Sequence, residues 1–282
     1  MWRGPRKLTL LIGLLAGCDQ VFGLARDDCG NAELDLGEEC DDGPTGAGDG
    51  CGLTCLIEPG FECPTPGAFC LPVVGLRRGT ERTTLPAAGN SGGGTPYAHL
   101  CEQGDVVVGF EGATSNSGTN VGTLRALCGS LGTTPSGDAA ITRTSQSLDF
   151  GFESNAPALT AICAEDAVAI GFVPNIGTMA ISGFQWTCQR LSHTGGALRF
   201  GPSEFRAFGP LAGTTQSEER CPPGEVVSSI FGSAGGLVDS LGLRCSAIST
   251  VLCGDGTLVL PETCDDGNVS PGDGCSNRCV RE

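Results

Sequence analysis

Between residues 101 and 245 apolar and polar positions alternate in short bursts set off by glycine-rich turns, and no long 3.6-residue period appears after the N-terminal segment. Leu124-Arg125-Ala126-Leu127, Phe184-Gln185-Trp186-Thr187 and Leu241-Gly242-Leu243-Arg244 are three such bursts. A period of two puts successive side chains on opposite faces of a strand, so Leu124, Phe184 and Leu241 are expected to share an inward face. Each burst ends on a cysteine, Cys128, Cys188 or Cys245, and a leading cysteine, Cys101, Cys163 or Cys221, stands 24 to 27 residues before it. Nine positions after each leading cysteine comes a further apolar residue, Phe110, Phe172 or Ile230, at the end of a run such as Val106-Val107-Val108. The leading cysteines are spaced by 62 and 58 residues, which marks three copies of one sheet-forming unit. Three such copies pack around a pseudo-threefold axis, and the expected fold is all-β: a three-repeat β-prism over residues 91-250, flanked by two small disulfide-rich repeats.

A different pattern occupies the first 17 residues. A basic stretch, Met1 to Lys7, leads into the apolar run Leu8 to Leu15, too short to cross a bilayer. Small residues then precede Cys18. The segment reads as a removable export signal. Because Leu15-Ala16-Gly17-Cys18 resembles the lipobox of bacterial lipoproteins, the likeness implies cleavage before Cys18, its lipidation, and a tether over 18-28. Acyl chains contribute about 0.8 kcal/mol per buried methylene, enough with several chains to hold the protein at a membrane outside the cytoplasm. In enteric bacteria an Asp in the position of Asp19 resembles an inner-membrane retention signal; the outer membrane or cell surface is nevertheless the expected location.

The cysteine count changes the picture next. Seventeen cysteines suit an oxidising compartment, and without Cys18 they divide evenly: six from Cys29 to Cys70, six from Cys101 to Cys245 and four from Cys253 to Cys279. Each group can close on itself, and Cys101 with Cys128, Cys163 with Cys188, Cys221 with Cys245 and Cys63 with Cys70 are the candidate bridges. Spacing leaves the full connectivity open. A disulfide closing a loop of about 25 residues contributes roughly 3 to 4 kcal/mol in the chain-entropy model. The formal net charge is -16, and losing Arg3, Arg6 and Lys7 with the signal makes it more negative and leaves no lysine. Such a surface repels nucleic acid, which is excluded as a partner, and attracts cations.

Cys29, Cys40, Cys51 and Cys55 repeat the gaps of Cys253, Cys264, Cys275 and Cys279, and Asp41-Asp42-Gly43 and Gly48-Asp49-Gly50 repeat as Asp265-Asp266-Gly267 and Gly272-Asp273-Gly274. The C-terminal copy, residues 253-282, resembles the Myxococcus cysteine-rich repeat, a DUF4215-type unit similar to the Lin12/Notch-like repeats of pappalysin-type proteins. The first copy, within 29-71, departs from it with Asn31 in place of Asp255 and Pro44 in place of Asn268. Units of about 30 residues bury too little apolar surface to fold without staples. The resemblance implies calcium at Asp265, Asp266, Asn268 and Asp273, hard oxygen donors among glycines; the same side chains equally suit the capping of turns. Ser276 stands where an EF-hand would need its bidentate Glu.

The third middle copy, CPPGEVVSSIFGSAGGLVDSLGLRC, resembles the jacalin-related lectins and the vitelline membrane outer layer protein, both β-prisms. That likeness implies a carbohydrate site built from Gly235, Gly236 and Asp239 with a glycine-rich partner loop at Ser91 to Gly94. A carboxylate accepts two charge-assisted hydrogen bonds from sugar hydroxyls. Counting back six from the closing cysteines gives Gly122 and Ser182 as the other copies' equivalents, so one site at most is expected. Gly89-Asn90-Ser91-Gly92-Gly93 matches Gly-x-Ser-x-Gly, but it follows what reads as a flexible linker over 72-90, and no histidine precedes His99. With no His-Glu-x-x-His either, no enzyme and no organic cofactor are expected. Two functions remain: a lipid-anchored envelope or cell-surface protein whose prism binds glycan or matrix components, and a structural or protein-interaction component of the envelope.

Overall fold

The computed structural model describes residues 29-282 apart from Pro44, Thr45, Pro66, Gln103, Pro135 and Glu153; the signal, Cys18 and the tether lie outside the described residues. The chain enters through β1 (Phe61–Glu62), β2 (Leu71–Thr84), β3 (Ala88–Gly89) and β4 (Thr95–Leu100). The first copy then supplies β5 (Val106–Thr114), β6 (Val121–Thr133), β7 (Ala139–Gln146) and β8 (Asn155–Ile162). The second supplies β9 (Ala167–Ile176), β10 (Ile181–Thr194), β11 (Ala197–Phe208), β12 (Thr214–Thr215) and β13 (Glu219–Arg220), and the third only β14 (Glu225–Ala234) and β15 (Val238–Leu252).

These strands form three antiparallel sheets, each built on an inner hairpin: β5/β6, β9/β10 and β14/β15. In the first two copies the outer strands follow in sequence, with β7 on β6 and β8 on β5, then β11 on β10 and β12 and β13 on β9. After the third copy's inner hairpin the chain passes directly into the second cysteine-rich unit at Cys253. The outer strands of this copy come from the N-terminal side, β2 pairing with β15 and β4 with β14, so the prism closes on itself. This corrects two expectations. Residues 71-84 are a fourteen-residue strand instead of a flexible linker, and the prism begins at Leu71, twenty residues before Ser91. The period-two reading missed β2 because its second half, Arg77 to Thr84, is mostly exposed and polar; backbone pairing to β15 holds it in place.

The expected inward residues do meet on the axis. Phe110, Phe172, Ile230, Leu124, Phe184 and Leu241 are all buried in one cluster. Trp186 joins them, with Phe110 edge-on at 4.7 Å and Phe184 stacked on Phe208 at 4.9 Å. The register is threefold down to single residues: Leu241 pairs with Ala88, Leu124 with Phe150 and Phe184 with Phe208. The next residue is a glycine in each copy, Gly89, Gly151 and Gly209, with φ of 96°, 86° and 84°. A Cβ there would stand 2.3 Å from Asp239 O, 2.1 Å from Gly122 O and 2.8 Å from Ser182 O, so both the left-handed backbone and the close approach require glycine. Cys101–Cys128, Cys163–Cys188 and Cys221–Cys245 are bridged, and each disulfide joins one sheet to the next, since Cys101, Cys163 and Cys221 bond to the backbone of β14, β5 and β9 while their partners lie on β6, β10 and β15.

The two cysteine-rich units share one covalent plan, with Cys29–Cys55 and Cys40–Cys51 in the first and Cys253–Cys279 and Cys264–Cys275 in the second, and Cys63–Cys70 closes a local loop after the first. Both sit at the same end of the prism. Ile57 packs at Gly196 in the β10/β11 turn, Gly60 at Gly137 in the β6/β7 turn, and Glu62 pairs with buried His193 at 3.0 Å. On the other side of β2, Val74 packs on the cysteines of the second unit and Cys253 N–H donates to Pro72 O at 3.0 Å. The inner hairpin tips, 115-120, 177-180 and 235-237, are at the opposite end because consecutive antiparallel turns alternate ends.

Candidate functional site

At that free end the structure brings together the two segments expected to form a site. Gly235-Gly236-Leu237 makes the β14/β15 turn, in which Gly235 N–H donates to Leu237 O at 2.9 Å. Asp239 follows on β15, half-buried. The loop 90-94 lies over it and is tied down at its start: Asn90 N–H donates to Asp239 O at 2.9 Å, and Ser233 Oγ–H donates to Asn90 O at 3.2 Å. A Cβ on Gly93 would lie 2.8 Å from Asp239 Cγ, and one on Gly94 would lie 2.5 Å from Asp239 Oδ2 and 2.2 Å from Ala234 C. Two bare glycines are therefore what lets the backbone come down beside the carboxylate. Burial pushes the Asp239 carboxyl above its ordinary value, and the Gly235 N–H facing it offsets part of that rise.

Tyr97 on β4 supports the floor. Its ring stacks on Phe150 with centroids 4.1 Å apart, and its hydroxyl donates to Ser240 O at 2.8 Å. Burial, and then the neighbouring Asp239 charge, push its pKa far upward, so the phenol stays protonated and acts as a fixed donor. The sequence offered no signal for this role. Tyr97 is the chain's sole tyrosine and sits in a segment without strong alternation.

The other copies lack the site for local reasons. Gly122 has no side chain, and Ser182 spends its hydroxyl on Asn175 O at 2.9 Å and on Ala212 O. Ser91 is exposed in the loop between β3 and β4, where a nucleophile elbow would need a helix to follow. Of the histidines, His99 lies 3.5 Å from Cys128 Sγ and is held below its ordinary pKa by burial, while His193 is engaged with Glu62.

Of the four calcium candidates, Asp266, Asn268 and Asp273 come together through hydrogen bonds among themselves, while Asp265 is turned onto the backbone. Asp265 uses both carboxylate oxygens on the backbone, accepting from Gly254, Gly256 and Gly267 N–H at 2.8 to 3.2 Å. Asn268 Nδ2–H donates to Asp273 Oδ2 at 3.3 Å, and Asp266 accepts from Asn268 N–H. Asp273 is held below its ordinary pKa first by its hydrogen bond from Asn268. Among the described residues, the clusters in which three His, Cys or acidic donor atoms come within 4.8 Å are each built on disulfide cysteines, and none contains Asp265, Asp266 or Asp273. Asp265, which accepts three backbone N–H bonds, is the member of the set committed to capping its turn.

Among the described residues no helix is long and apolar enough to cross a membrane. No curated protein sequence matches the chain. A family model described as "Domain of unknown function (DUF4215)" matches residues 242-280, which covers most of β15 and most of the second cysteine-rich unit. Among solved structures, the chain is similar to Calystegia sepium agglutinin, with 16% identity and a TM-score of 0.40 over 58% of this chain and 96% of that one. It is similar to Malaysian banana lectin, with 12% identity and a TM-score of 0.38 over 58% of this chain and 98% of that one. It is also similar to artocarpin, seen as a mannotriose complex, with 11% identity and a TM-score of 0.38 over 60% of this chain and 99% of that one.

Proposed function

We propose that this chain is an exported, lipid-anchored protein of the cell envelope, displayed at the outer membrane or cell surface, whose β-prism binds carbohydrate at Asp239 and has no catalytic role. The observation that carries this is the half-buried Asp239 carboxylate flanked by Gly93-Gly94 and Gly235-Gly236 at the prism end away from the cysteine-rich units. An acceptor that faces solvent between bare backbones suits a pair of sugar hydroxyls, because it can take two charge-assisted hydrogen bonds without displacing a side chain. The anchor at Cys18 would enter through the first cysteine-rich unit, which leaves the Asp239 end pointing away from the membrane.

The test uses lipid-free Arg26 to Glu282 on a broad glycan panel, with and without calcium. Wild-type protein is expected to bind at least one glycan, and Asp239→Ala and Asp239→Asn are each expected to weaken that binding by more than about tenfold, the scale of a lost hydrogen bond to a charged group. Equal binding by all three proteins would overturn the assignment of the site.

The pH dependence has a definite sign. The folded-state pKa of Asp239 is raised, so the folded protein takes up that proton more readily than the unfolded chain. Its contribution to stability is present at low pH and is lost as pH rises through the raised pKa. Sugar binding needs the ionised form. Affinity is therefore expected to fall on acidification at a pH above the ordinary aspartate value of about 3.9, while the fold stays intact. A titration of glycan affinity beside near-UV circular dichroism checks both halves.

A second reading, a protein-interaction component of the envelope, has one observation of its own. Leu36 and Leu260 occupy the same place in the two cysteine-rich units and are 92% and 80% exposed. Absence of glycan binding by wild-type protein would favour it.

A further inference from the structure

At the end of the prism that carries the cysteine-rich units, a seam between neighbouring sheets runs past each leading cysteine, and the backbone of the seam is the same in every copy. Cys163 N–H donates to Val108 O at 2.9 Å, Cys221 N–H to Ile170 O at 2.8 Å and Cys101 N–H to Ser228 O at 3.3 Å. A tight turn follows each time, closed by Ala167 N–H on Ala164 O, Glu225 N–H on Pro222 O and Asp105 N–H on Glu102 O at 2.9 to 3.0 Å. The register supplies one more equivalence. Leu131, Leu191 and Ile248, each three residues after its closing cysteine, pair with Ile141, Phe200 and Arg78 on the outer strand.

What stands at that outer position decides how the seam is used. In the Cys101 seam the Arg78 guanidinium donates to Ser228 O, Cys101 O and Glu102 O at 3.3 to 3.5 Å. Burial disfavours its charge, and the carboxylates of Glu81 and Asp105 offset that. The shared backbone is therefore a seat for a guanidinium, completed by the acid that ends the turn. The other seams have no arginine at this position, and each holds an open cavity, of about 340 Å³ at Cys163 and about 500 Å³ at Cys221. Their chemistry differs. At Cys163 the places of Asp105 and Arg78 are taken by Ala167 and Ile141, whereas at Cys221 they are taken by Glu225 and Phe200, so the acid is kept and a ring replaces the arginine. Among the described residues Glu225 Oε2 is buried without a hydrogen-bond partner. Arg220 also lines this cavity, but its guanidinium reaches Ser203 Oγ at 3.3 Å and Glu218 at 3.6 Å, so its charge is already met.

We propose that the Cys221 seam is a binding site for an alkylguanidinium of the kind arginine carries, seated as Arg78 is seated in its own seam. The guanidinium donates to the carbonyls of Cys221 and Pro222, meets Glu225 in a charge-assisted hydrogen bond and lies against the Phe200 ring, whose negative face attracts a cation. Its alkyl stem rests on Ile170 and Pro223, the apolar part of the lining. The cavity is within the usual size of small-ligand sites, about 300 to 1,000 Å³. A planar fork of donors suits this set of acceptors better than the single ammonium of a lysine. The strongly acidic protein also draws cations toward it. This site is at the opposite end of the prism from Asp239 and does not depend on the carbohydrate reading.

The experiment titrates lipid-free Arg26 to Glu282 with the N-acetyl amides of arginine, of lysine and of citrulline, which keeps the shape of arginine without its charge. Calorimetry gives the affinities and amide chemical shifts give the place. The arginine derivative is expected to bind at millimolar concentration or below and to shift the signals of Ile170, Phe200 and Glu225, with the citrulline derivative at least about tenfold weaker, the scale of one hydrogen bond to a charged group. Glu225→Gln is expected to lose about as much. Phe200→Arg, which installs the residue of the Cys101 seam, is expected to fill the cavity and abolish binding. Thermal unfolding of the same samples checks both folds, and Glu225→Gln decides alone if Phe200→Arg does not fold. A peptide with one internal arginine tells the source: if it binds, the site serves an arginine of a partner protein, and if it is excluded, a free small molecule. No saturable binding by wild type, equal binding of the lysine or citrulline derivative, or unchanged affinity in either folded variant would overturn the inference and leave the Asp239 site untouched.

Discussion

A chain beginning at Ser91 is expected not to fold, whereas one running from Leu71 to Leu252 is expected to unfold in a single cooperative transition. Starting at Ser91 removes β2 and β3 and leaves the long edge of β15 unpaired. It also strips Val73, Leu76 and Leu85 from the interior, where they are 1%, 4% and 9% exposed. At about 1.5 to 3 kcal/mol for each buried aliphatic side chain, that loss is of the same order as the whole stability of a domain, about 5 to 15 kcal/mol. Arg78 adds to it: its guanidinium donates to Ser228 O, Cys101 O and Glu102 O, which joins the third sheet to the start of the first copy. Circular dichroism and limited proteolysis of the two truncations decide the matter. A folded, protease-resistant Ser91 chain would show that the prism does not need its N-terminal closure.

The second large effect is expected from Asp41→Asn, which should open the first cysteine-rich unit while its disulfides stay intact. Asp41 is 1% exposed and accepts N–H bonds from Gly30, Asn31, Ala32 and Gly43 at 2.9 to 3.1 Å. Burial by itself would raise its pKa; the hydrogen bonds from Gly43, Gly30, Ala32 and Asn31 outweigh that and leave it below the ordinary value. A lowered folded-state pKa means stability that is present above the unfolded value and lost as pH falls through the folded one, so this unit should hold into acid below the usual aspartate range. An amide offers one oxygen in place of two and turns an NH2 donor toward N–H groups. Amide exchange at Gly30, Asn31, Ala32 and Gly43 is expected to quicken at least about tenfold in Asp41→Asn, the factor that one lost charge-assisted hydrogen bond carries. Unchanged exchange would show that the disulfides alone hold the unit. Asp265, with its three N–H donors, fills the same role in the second unit.

The cysteine spacing and the period-two bursts already determined a great deal: strands as the element type, three copies, their inward residues, and the equivalence of Gly122, Ser182 and Asp239. These are local properties, since side-chain alternation along a strand and a repeated spacing are both visible within one copy. The pairing of Cys29 with Cys55 and of Cys40 with Cys51 was not, because four cysteines at any spacing admit more than one connectivity. Nor was the role of Leu71–Thr84, whose partner β15 lies more than 150 residues later in the chain, so that nothing in its own polar sequence announces the pairing. Asp265 suited a metal ligand and a turn cap alike in the sequence; the backbone N–H groups of Gly254, Gly256 and Gly267 that surround it belong to the tertiary structure. The meeting of Phe150, Tyr97 and Asp239 is likewise a product of closure. Three copies each too small to bury a face are forced around one axis, and that packing sets a loop of the first against the hairpin of the third.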